Sequence, residues 1–354
     1  MLADLIPETV FVDAGSWLLW LMAAAAVGLL VFGADRAVTA AVRLAAVLGM
    51  SKVIIGATVV SLGTTSPEAF TSVTAAFSGK PGLALGNGVG SIICDTALVF
   101  GLCCCIRQLP LNRFVLNRHG WLQLGSGVLL VVVVGVLAVS GGGLHGVTIP
   151  RWVGFAFLAL LVGYMYISVR WARQHPEIVP EEADKADKTK GPAAGEHRLR
   201  MVMWNLLILM VGLAAVVLGS NLMVGSAGEL CSRYGVPQNV LAVTLVAFGT
   251  SLPELVTAIA SLVKGHADLL VGNIVGADIL NVLFVIGASA AAVPLDVETE
   301  FFYLHLPVML AVLVMLRLFI FFSGDRFRRW QGALLLSVYV GYYAVLVVKF
   351  GVAR

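Results

Sequence analysis

Apolar residues run along this chain in blocks of about twenty, and the polar residues collect between them. Ten blocks qualify as membrane-crossing helices, near 17–34, 54–78, 82–105, 121–139, 150–172, 201–223, 240–264, 268–292, 301–322 and 329–350. A helix rises about 1.5 Å per residue, so about 20 residues cross a hydrocarbon layer roughly 30 Å thick. The pattern predicts an all-α polytopic membrane protein. Between the fifth and sixth blocks lies a polar stretch, 174–200, "QHPEIVPEEADKADKTKGPAAGEHRLR". Its charges and its Pro and Gly punctuation predict a flexible linker.

Composition agrees. Of 354 residues, 59% are hydrophobic and 12% charged, where a soluble domain carries about 25% charged residues. No nucleic-acid partner and no enzyme chemistry are expected. The acidic start, "MLADLIPETVFVDAGS", lacks the basic n-region of a cleaved signal peptide. With both termini outside, 18 of the 23 Lys and Arg residues fall on the inner side, leaving Lys80, Arg151, Arg233, Lys349 and Arg354 outside. The positive-inside rule therefore predicts a cytoplasmic linker and a multi-pass protein of the cell (inner) membrane. Cys94, Cys103, Cys104, Cys105 and Cys231 lack other soft ligands in sequence and are expected to pack as small apolar groups. His119, His145, His175, His197 and His266 are expected in solvated loops, and His305 near the outer end of the ninth span.

Two hexapeptides, "GTTSPE" (63–68) and "GTSLPE" (249–254), coincide when the sequence is slid by 186. Residues 56–101 then lie over 242–287 without a gap, matching Gly63/Gly249, Thr64/Thr250, Pro67/Pro253, Glu68/Glu254, Thr71/Thr257, Gly86/Gly272, Asn87/Asn273, Gly90/Gly276 and Gly101/Gly287. Gly33/Gly219 and Gly49/Gly235 keep the same register upstream. The chain thus divides into 1–173, a linker at 174–200, and 201–354, each half holding five spans. An odd number of spans inverts the second copy relative to the first, the inverted-repeat plan of many secondary transporters. A pseudo-twofold axis in the membrane plane then brings Glu68 and Glu254 to one depth.

A carboxylate at that depth costs several kcal/mol and marks a functional site by default. Two of them need protons or a bound cation to neutralise them. Pro67 and Pro253 remove a backbone donor and clash with the carbonyls of Gly63 and Gly249. The helices are therefore expected to kink or unwind at "GT", beside the hydroxyls of Thr64, Thr65, Thr250 and Ser251. The next span of each half adds Asn87, Ser91 and Asp95 from "GNGVGSIICD", and Asn273, Asp278 and Asn281 from "GNIVGADILN". Positions 87, 91 and 95 share one helix face. The glycines at 86, 90, 272 and 276 form small-xxx-small stripes for close helix approach. Such an oxygen-only set suits a hard cation, and a flexible one suits Ca²⁺, which takes about 6–8 oxygens.

These paired motifs resemble the calcium/cation antiporter superfamily, and within it the bacterial sodium/calcium exchanger-like membrane proteins. The likeness spans both repeats and implies Ca²⁺ held by Glu68 and Glu254 with the carbonyls of Thr64 and Thr250. It implies Na⁺ sites at Thr65, Ser91 and Ser251, with carbonyls near Ser61 and Ala247, and Asp95 and Asn281 at the remaining corners. Asn87 and Asn273 complete the candidate set. It further implies alternating access, with two loosely packed helices, near 17–34 and 201–223, sliding over an eight-helix core, and a single protomer as the working unit. No cofactor is expected beyond the transported ions. Two departures stand out. Asp95 and Asn281 exchange the acid and amide usual at the corner pair. Ala277 replaces the serine that would match Ser91, and Asp278 follows it about 100° round the helix. Coupling to H⁺ or K⁺ is therefore the alternative to Na⁺. An intramembrane aspartyl protease or a passive cation channel is a remote one, the protease because its acids share a proton beside a water rather than a shell of hydroxyls and amides.

Overall fold

A computed structural model describes residues 6–174, 193–234, 251–346 and 348. Among the described residues it is almost entirely helical, and a helix covers all or part of each of the ten predicted spans. A short α1 (Glu8–Val12) precedes α2 (Ser16–Leu48), α3 (Lys52–Phe77), α4 (Pro81–Ile106), α5 (Arg113–Ser140), α6 (Arg151–Gln174) and α7 (Ala193–Arg233). Then follow α8 (Leu252–Val263), α9 (Ala267–Ala292), α10 (Phe301–Phe322) and α11 (Arg329–Leu346). Among the described residues, eight of these helices are long and apolar enough to cross a membrane; α8 and α11 fall short of that criterion. Most of the predicted linker, 175–192, and residues 235–250, which include the first part of the predicted seventh span, lie outside the described residues.

Contacts recur at the spacing seen in the sequence. The helices α2 and α7 cross tightly: a side chain on Gly33 would meet Gly212 O, Ala215 and Val216, and one on Gly219 would meet Ala26 O, Leu29 and Leu30. Each member of the first set lies 186 positions from its counterpart in the second. The helices ending at Phe77 and Val263 both turn through a left-handed glycine, Gly79 (φ 76°) and Gly265 (φ 77°), a conformation that a Cβ disfavours. The two helices expected to slide over the core, α2 and α7, are long, 33 and 41 residues, and packed closely on one another.

Two small clasps hold the ends of α5 and α10. Strands β1 (Val147–Ile149) and β2 (Leu295–Val297) pair antiparallel. At the other ends of the same helices, Pro110 bridges Arg326, with Phe327 N donating to Leu109 O (2.8 Å) and Leu111 N to Asp325 O (2.9 Å). Residues 295–297 and 109–111 are again 186 apart. Helices α5 and α10 therefore run antiparallel between the clasps and pack on each other.

The core is dense around α3, α4 and α9. The glycine stripe of α9 explains how closely α3 approaches. A Cβ on Gly272 would lie 2.1 Å from Val53 O, and one on Gly276 2.5 Å from the Ala57 Cα. Both contacts fall at the start of α3, where residues Gly56–Val60 form a π-helical turn. Further π turns occur at Cys94–Phe100 in α4 and Asn281–Ile286 in α9.

Of the kink or unwinding expected at Gly63–Thr64, the unwinding is not there. Helix continues from Ser61 to Phe77 through Pro67. The proline removes one backbone bond, and hydroxyls occupy nearby carbonyls: Ser66 Oγ donates to Leu62 O (2.5 Å) and Thr64 Oγ1 to Ser61 O (3.3 Å). These carbonyls neighbour that of Gly63, the one Pro67 leaves without its helical donor, and membrane helices tolerate such a proline. The irregularity sits earlier, at the π turn. In the second half, Gly249 and Thr250 lie outside the described residues, and α8 opens at Leu252 with Pro253 in its first turn, where a missing N–H costs nothing.

Candidate functional site

Four helices meet at the centre. Helix α3 supplies Ser61, Thr64, Thr65 and Glu68; α4 supplies Ser91 and Asp95; the start of α8 supplies Ser251 and Glu254; α9 supplies Asn273 and Asn281. All ten side chains are buried. Thr250 and Ala247, also expected here, lie outside the described residues.

The structure brings Glu68 and Glu254 side by side, each within electrostatic reach of the other and of Asp95 or the threonines. Glu68 faces Glu254 and Asp95. Glu254 faces Glu68, Thr64 and Thr65. Asp95 faces Glu254, Ser251 and Asp278. Asn281 Nδ2 donates to Asp95 Oδ2 (3.4 Å), joining the two corner residues directly. Thr64 Oγ1 also reaches Asn273 Oδ1 at 3.5 Å.

The oxygens left over define what this centre can do. Thr65 Oγ1, Glu68 Oε2, Ser91 Oγ, Asp95 Oδ1, Ser251 Oγ, both carboxylate oxygens of Glu254 and Asn281 Oδ1 are buried without a hydrogen-bond partner in the protein. A buried polar atom left unsatisfied costs roughly 1–3 kcal/mol, more for a charged group. Two unit negative charges about 4 Å apart repel by roughly 4 kcal/mol even at an effective dielectric constant near 20. A cation relieves both costs together. Among the described residues, no three His, Cys, Asp or Glu side chains converge as a metal-binding group. The set is therefore mixed: carboxylates, hydroxyls and amide oxygens, all hard donors suited to Ca²⁺ and alkali ions.

Asn87 stands apart from that set. It is half-buried, and its Nδ2 donates to Ser72 Oγ (2.9 Å) and to the backbone carbonyl of Glu68 (3.3 Å). It fixes the backbone that carries Glu68. Ala277 is buried and adds no oxygen. Asp278 faces Thr96 and Gln123: Thr96 Oγ1 donates to its Oδ2, as does Gln123 Nε2 at 2.6 Å. These two donors escaped the sequence reading. The signal available was a lone glutamine within the apolar fourth span.

His119 corrects the sequence expectation. It is buried in α5, because the helix begins eight residues before the apolar block does. His119 Nδ1 meets Tyr164 OH at 3.3 Å, with the rings edge-to-face. His305, 186 positions on, meets Tyr342 OH at 2.8 Å in the same arrangement. Tyr164 OH also donates to Ala57 O (2.7 Å), a carbonyl of the π turn in α3. Tyr164→Phe is expected to lower stability by about 1 kcal/mol, the worth of one buried hydrogen bond. Thermal unfolding of the purified variant measures that loss. His145 is exposed, as expected, and His266 half-buried; His175 and the side chain of His197 lie outside the described residues. Cys94, Cys103 and Cys104 are buried in the core, as expected, and Cys105 is half-buried.

Comparison with known proteins places this geometry. The family model described as sodium/calcium exchanger protein matches residues 18–170 and 204–348. The inner membrane protein YrbG of Escherichia coli is 31% identical over 318 residues, covering 90% of this chain and 93% of the relative. The sodium/calcium exchanger MaX1 of Methanosarcina acetivorans is 29% identical over 342 residues, covering 90% and 95%. A structure of the sodium-calcium exchanger NCX_Mj, soaked with Na⁺ and Sr²⁺, superposes with a TM-score of 0.76 at 27% identity, covering 93% of this chain and 99% of the other. With the family model spanning both halves, this polytopic membrane protein belongs to the sodium/calcium exchanger family.

Proposed function

We propose that the protein exchanges Ca²⁺ for Na⁺ across the membrane, gripping Ca²⁺ between Glu68 and Glu254. The observation that carries the reading is this pair of adjacent, buried carboxylates, with three of their four oxygens lacking a protein partner. The exchangers MaX1 and NCX_Mj, by their similarity to this chain, support the same exchange. Thr64 and Thr250 add backbone carbonyls to the Ca²⁺ position. Na⁺ occupies flanking positions at Thr65, Ser91 and Ser251, with carbonyls of Ser61 and Ala247, and Asp95 and Asn281 line the middle. Asn273 supports the pocket through Thr64.

Two five-helix repeats, 1–173 and 201–354, enclose this site in opposite orientations. Alternating access comes from α2 and α7 moving together over the remaining helices. Their contact with the site supports this: Leu213 of α7 lies against Gly63, one residue before Thr64, and Leu30, Ala34 and Val216 pack with Leu252. The termini face outside and the linker faces the cytoplasm of a cell whose inner membrane holds the protein, and a single protomer carries the full site.

Proteoliposomes test the reading. A Na⁺ gradient imposed at fixed pH and fixed K⁺ is expected to drive Ca²⁺ flux against its own gradient. Ca²⁺ flux that ignores Na⁺ and follows ΔpH would select proton coupling, the reading favoured by Ala277 and the additional acid Asp278. A requirement for K⁺ appears in the same assay.

A further inference from the structure

The packing of α4, α5 and α9 places a second polar group beside the cation centre. Thr96 of α4 and Gln123 of α5 both donate to Oδ2 of Asp278 on α9, the glutamine at 2.6 Å. All three side chains are buried, and Asp278 Oδ1 has no hydrogen-bond partner among the described residues. The group adjoins the corner pair on both helices. Thr96 follows Asp95 directly, inside the π turn Cys94–Phe100. Asp278 stands three residues before Asn281, a spacing that puts two side chains on one face of a helix. Two rungs therefore cross from α4 to α9: Asp95 with Asn281 at 3.4 Å, and Thr96 with Asp278.

The internal repeat separates the two rungs. Asp95 and Asn281 are 186 positions apart, so they are each other's counterparts. The counterparts of Asp278, Thr96 and Gln123 are Ile92, Val282 and Met309, all apolar and all buried. The repeat thus fills the same three places elsewhere with hydrocarbon. A buried polar group is costly unless its partners are in place. Replacing both partners of a buried hydrogen bond by apolar groups of the same shape is often nearly neutral for stability. Folding therefore does not account for the polar triad. The triad also stands next to Ala277, the position that lacks the hydroxyl its counterpart Ser91 supplies. Thr96 ties α9 to the residue after Asp95, in a π turn whose wider backbone spacing leaves the local helix less firmly held.

We propose that Asp278 is a positioning residue for monovalent-cation binding: through Thr96 it fixes the orientation of Asp95, and it does so by accepting hydrogen bonds rather than by its charge. This role rests on the exchange reading, in which Asp95 lines the centre between the Na⁺ positions. The Na⁺ and Ca²⁺ dependence of flux in proteoliposomes at fixed pH tests it. Thr96→Val keeps the shape of the side chain and removes its hydroxyl. It is expected to raise the Na⁺ concentration at half-maximal flux about ten-fold, the worth of one buried hydrogen bond. The Ca²⁺ concentration at half-maximal flux is expected to hold, because Glu68 and Glu254 are untouched. Thr96→Val with Gln123→Met and Asp278→Ile, the residues found at the counterpart positions, is expected to show the same Na⁺ defect with an unchanged thermal midpoint. Asp278→Asn keeps an accepting oxygen for both donors and is expected to retain the wild-type Na⁺ dependence. Unchanged Na⁺ dependence in Thr96→Val would overturn the proposal. So would a Na⁺ defect in Asp278→Asn, which would give the role to the charge, as cation ligand or proton carrier. Equal losses for Na⁺ and Ca²⁺ would reduce the triad to a structural part. A wild type whose Ca²⁺ flux ignores Na⁺ is the separate failure of the exchange reading, seen before any variant is compared, and would remove this role with it.

Discussion

Glu254→Gln and Glu68→Gln are each expected to abolish Ca²⁺ transport in proteoliposomes while leaving the folded protein intact. Glutamine keeps the volume and one oxygen of each carboxylate, so packing is preserved. It removes one negative charge from a pair whose charge is the source of divalent affinity. Both carboxylate oxygens of Glu254 and one of Glu68 are buried without a hydrogen-bond partner in the protein, so these are the oxygens available to the ion. Loss of the mutual repulsion is expected to leave the apo variants at least as stable as the wild type, since like charges close together are costly in a low dielectric. A loss of transport accompanied by unfolding would point to a structural role instead. Normal Ca²⁺ flux in either variant would remove that residue from the site.

The second large effect is expected from packing. Gly272→Ala places a methyl 2.1 Å from the carbonyl oxygen of Val53 and 2.8 Å from its Cα. Those atoms are backbone, so no side-chain rotation relieves the clash. Helices α3 and α9 must separate, and overpacking of this kind costs roughly 1–3 kcal/mol, occasionally more. A cost at or above the upper end is expected, because the contact repeats one turn on, at Gly276 against Ala57. The thermal midpoint of the purified variant measures it. Gly90→Ala, on the corresponding stripe of α4, is the comparison: Gly90 meets no described atom within 4 Å, and a smaller drop is expected there. Equal midpoints for wild type and Gly272→Ala would contradict the observed approach.

Much of this architecture was legible because hydrophobic length is a direct physical requirement of the bilayer. The blocks at 54–78, 82–105, 268–292 and 301–322 fall within a residue or two of α3, α4, α9 and α10. Helix α2 runs on to Leu48, well past its predicted end at 34, because the hydropathy signal stops at Asp35 and Arg36 while the helix does not. Asp35 instead pairs with Lys264 at 2.6 Å beyond the end of α8. The paired glutamates were legible through the repeat, since a costly residue occurring twice at one spacing implies one shared purpose.

Other features left no pattern to read. A π turn such as Gly56–Val60 has no sequence period of its own, so the local rule for proline points to Pro67 while the irregularity lies at the π turn, and helix continues through Pro67. Three-residue strands carry too little alternation to stand out, and the clasp at 147–149 and 295–297 depends on partners 146 to 150 positions apart. His119 was misplaced because Arg113 and Arg118 made its segment look like loop. Ala277 marks the missing hydroxyl, and Asp278 the acid beside it, by sequence alone; only the packing of α4, α5 and α9 reveals Thr96 and Gln123 as donors to Asp278.

The central claim is that two carboxylates, one from each half, hold a single ion. Equilibrium binding of radioactive Ca²⁺ to the purified protein without Na⁺ addresses it most directly. One Ca²⁺ per chain is predicted for the wild type and none in the same concentration range for either Glu68→Gln or Glu254→Gln. Undiminished binding in one variant, or two sites of which each variant loses only one, would contradict it.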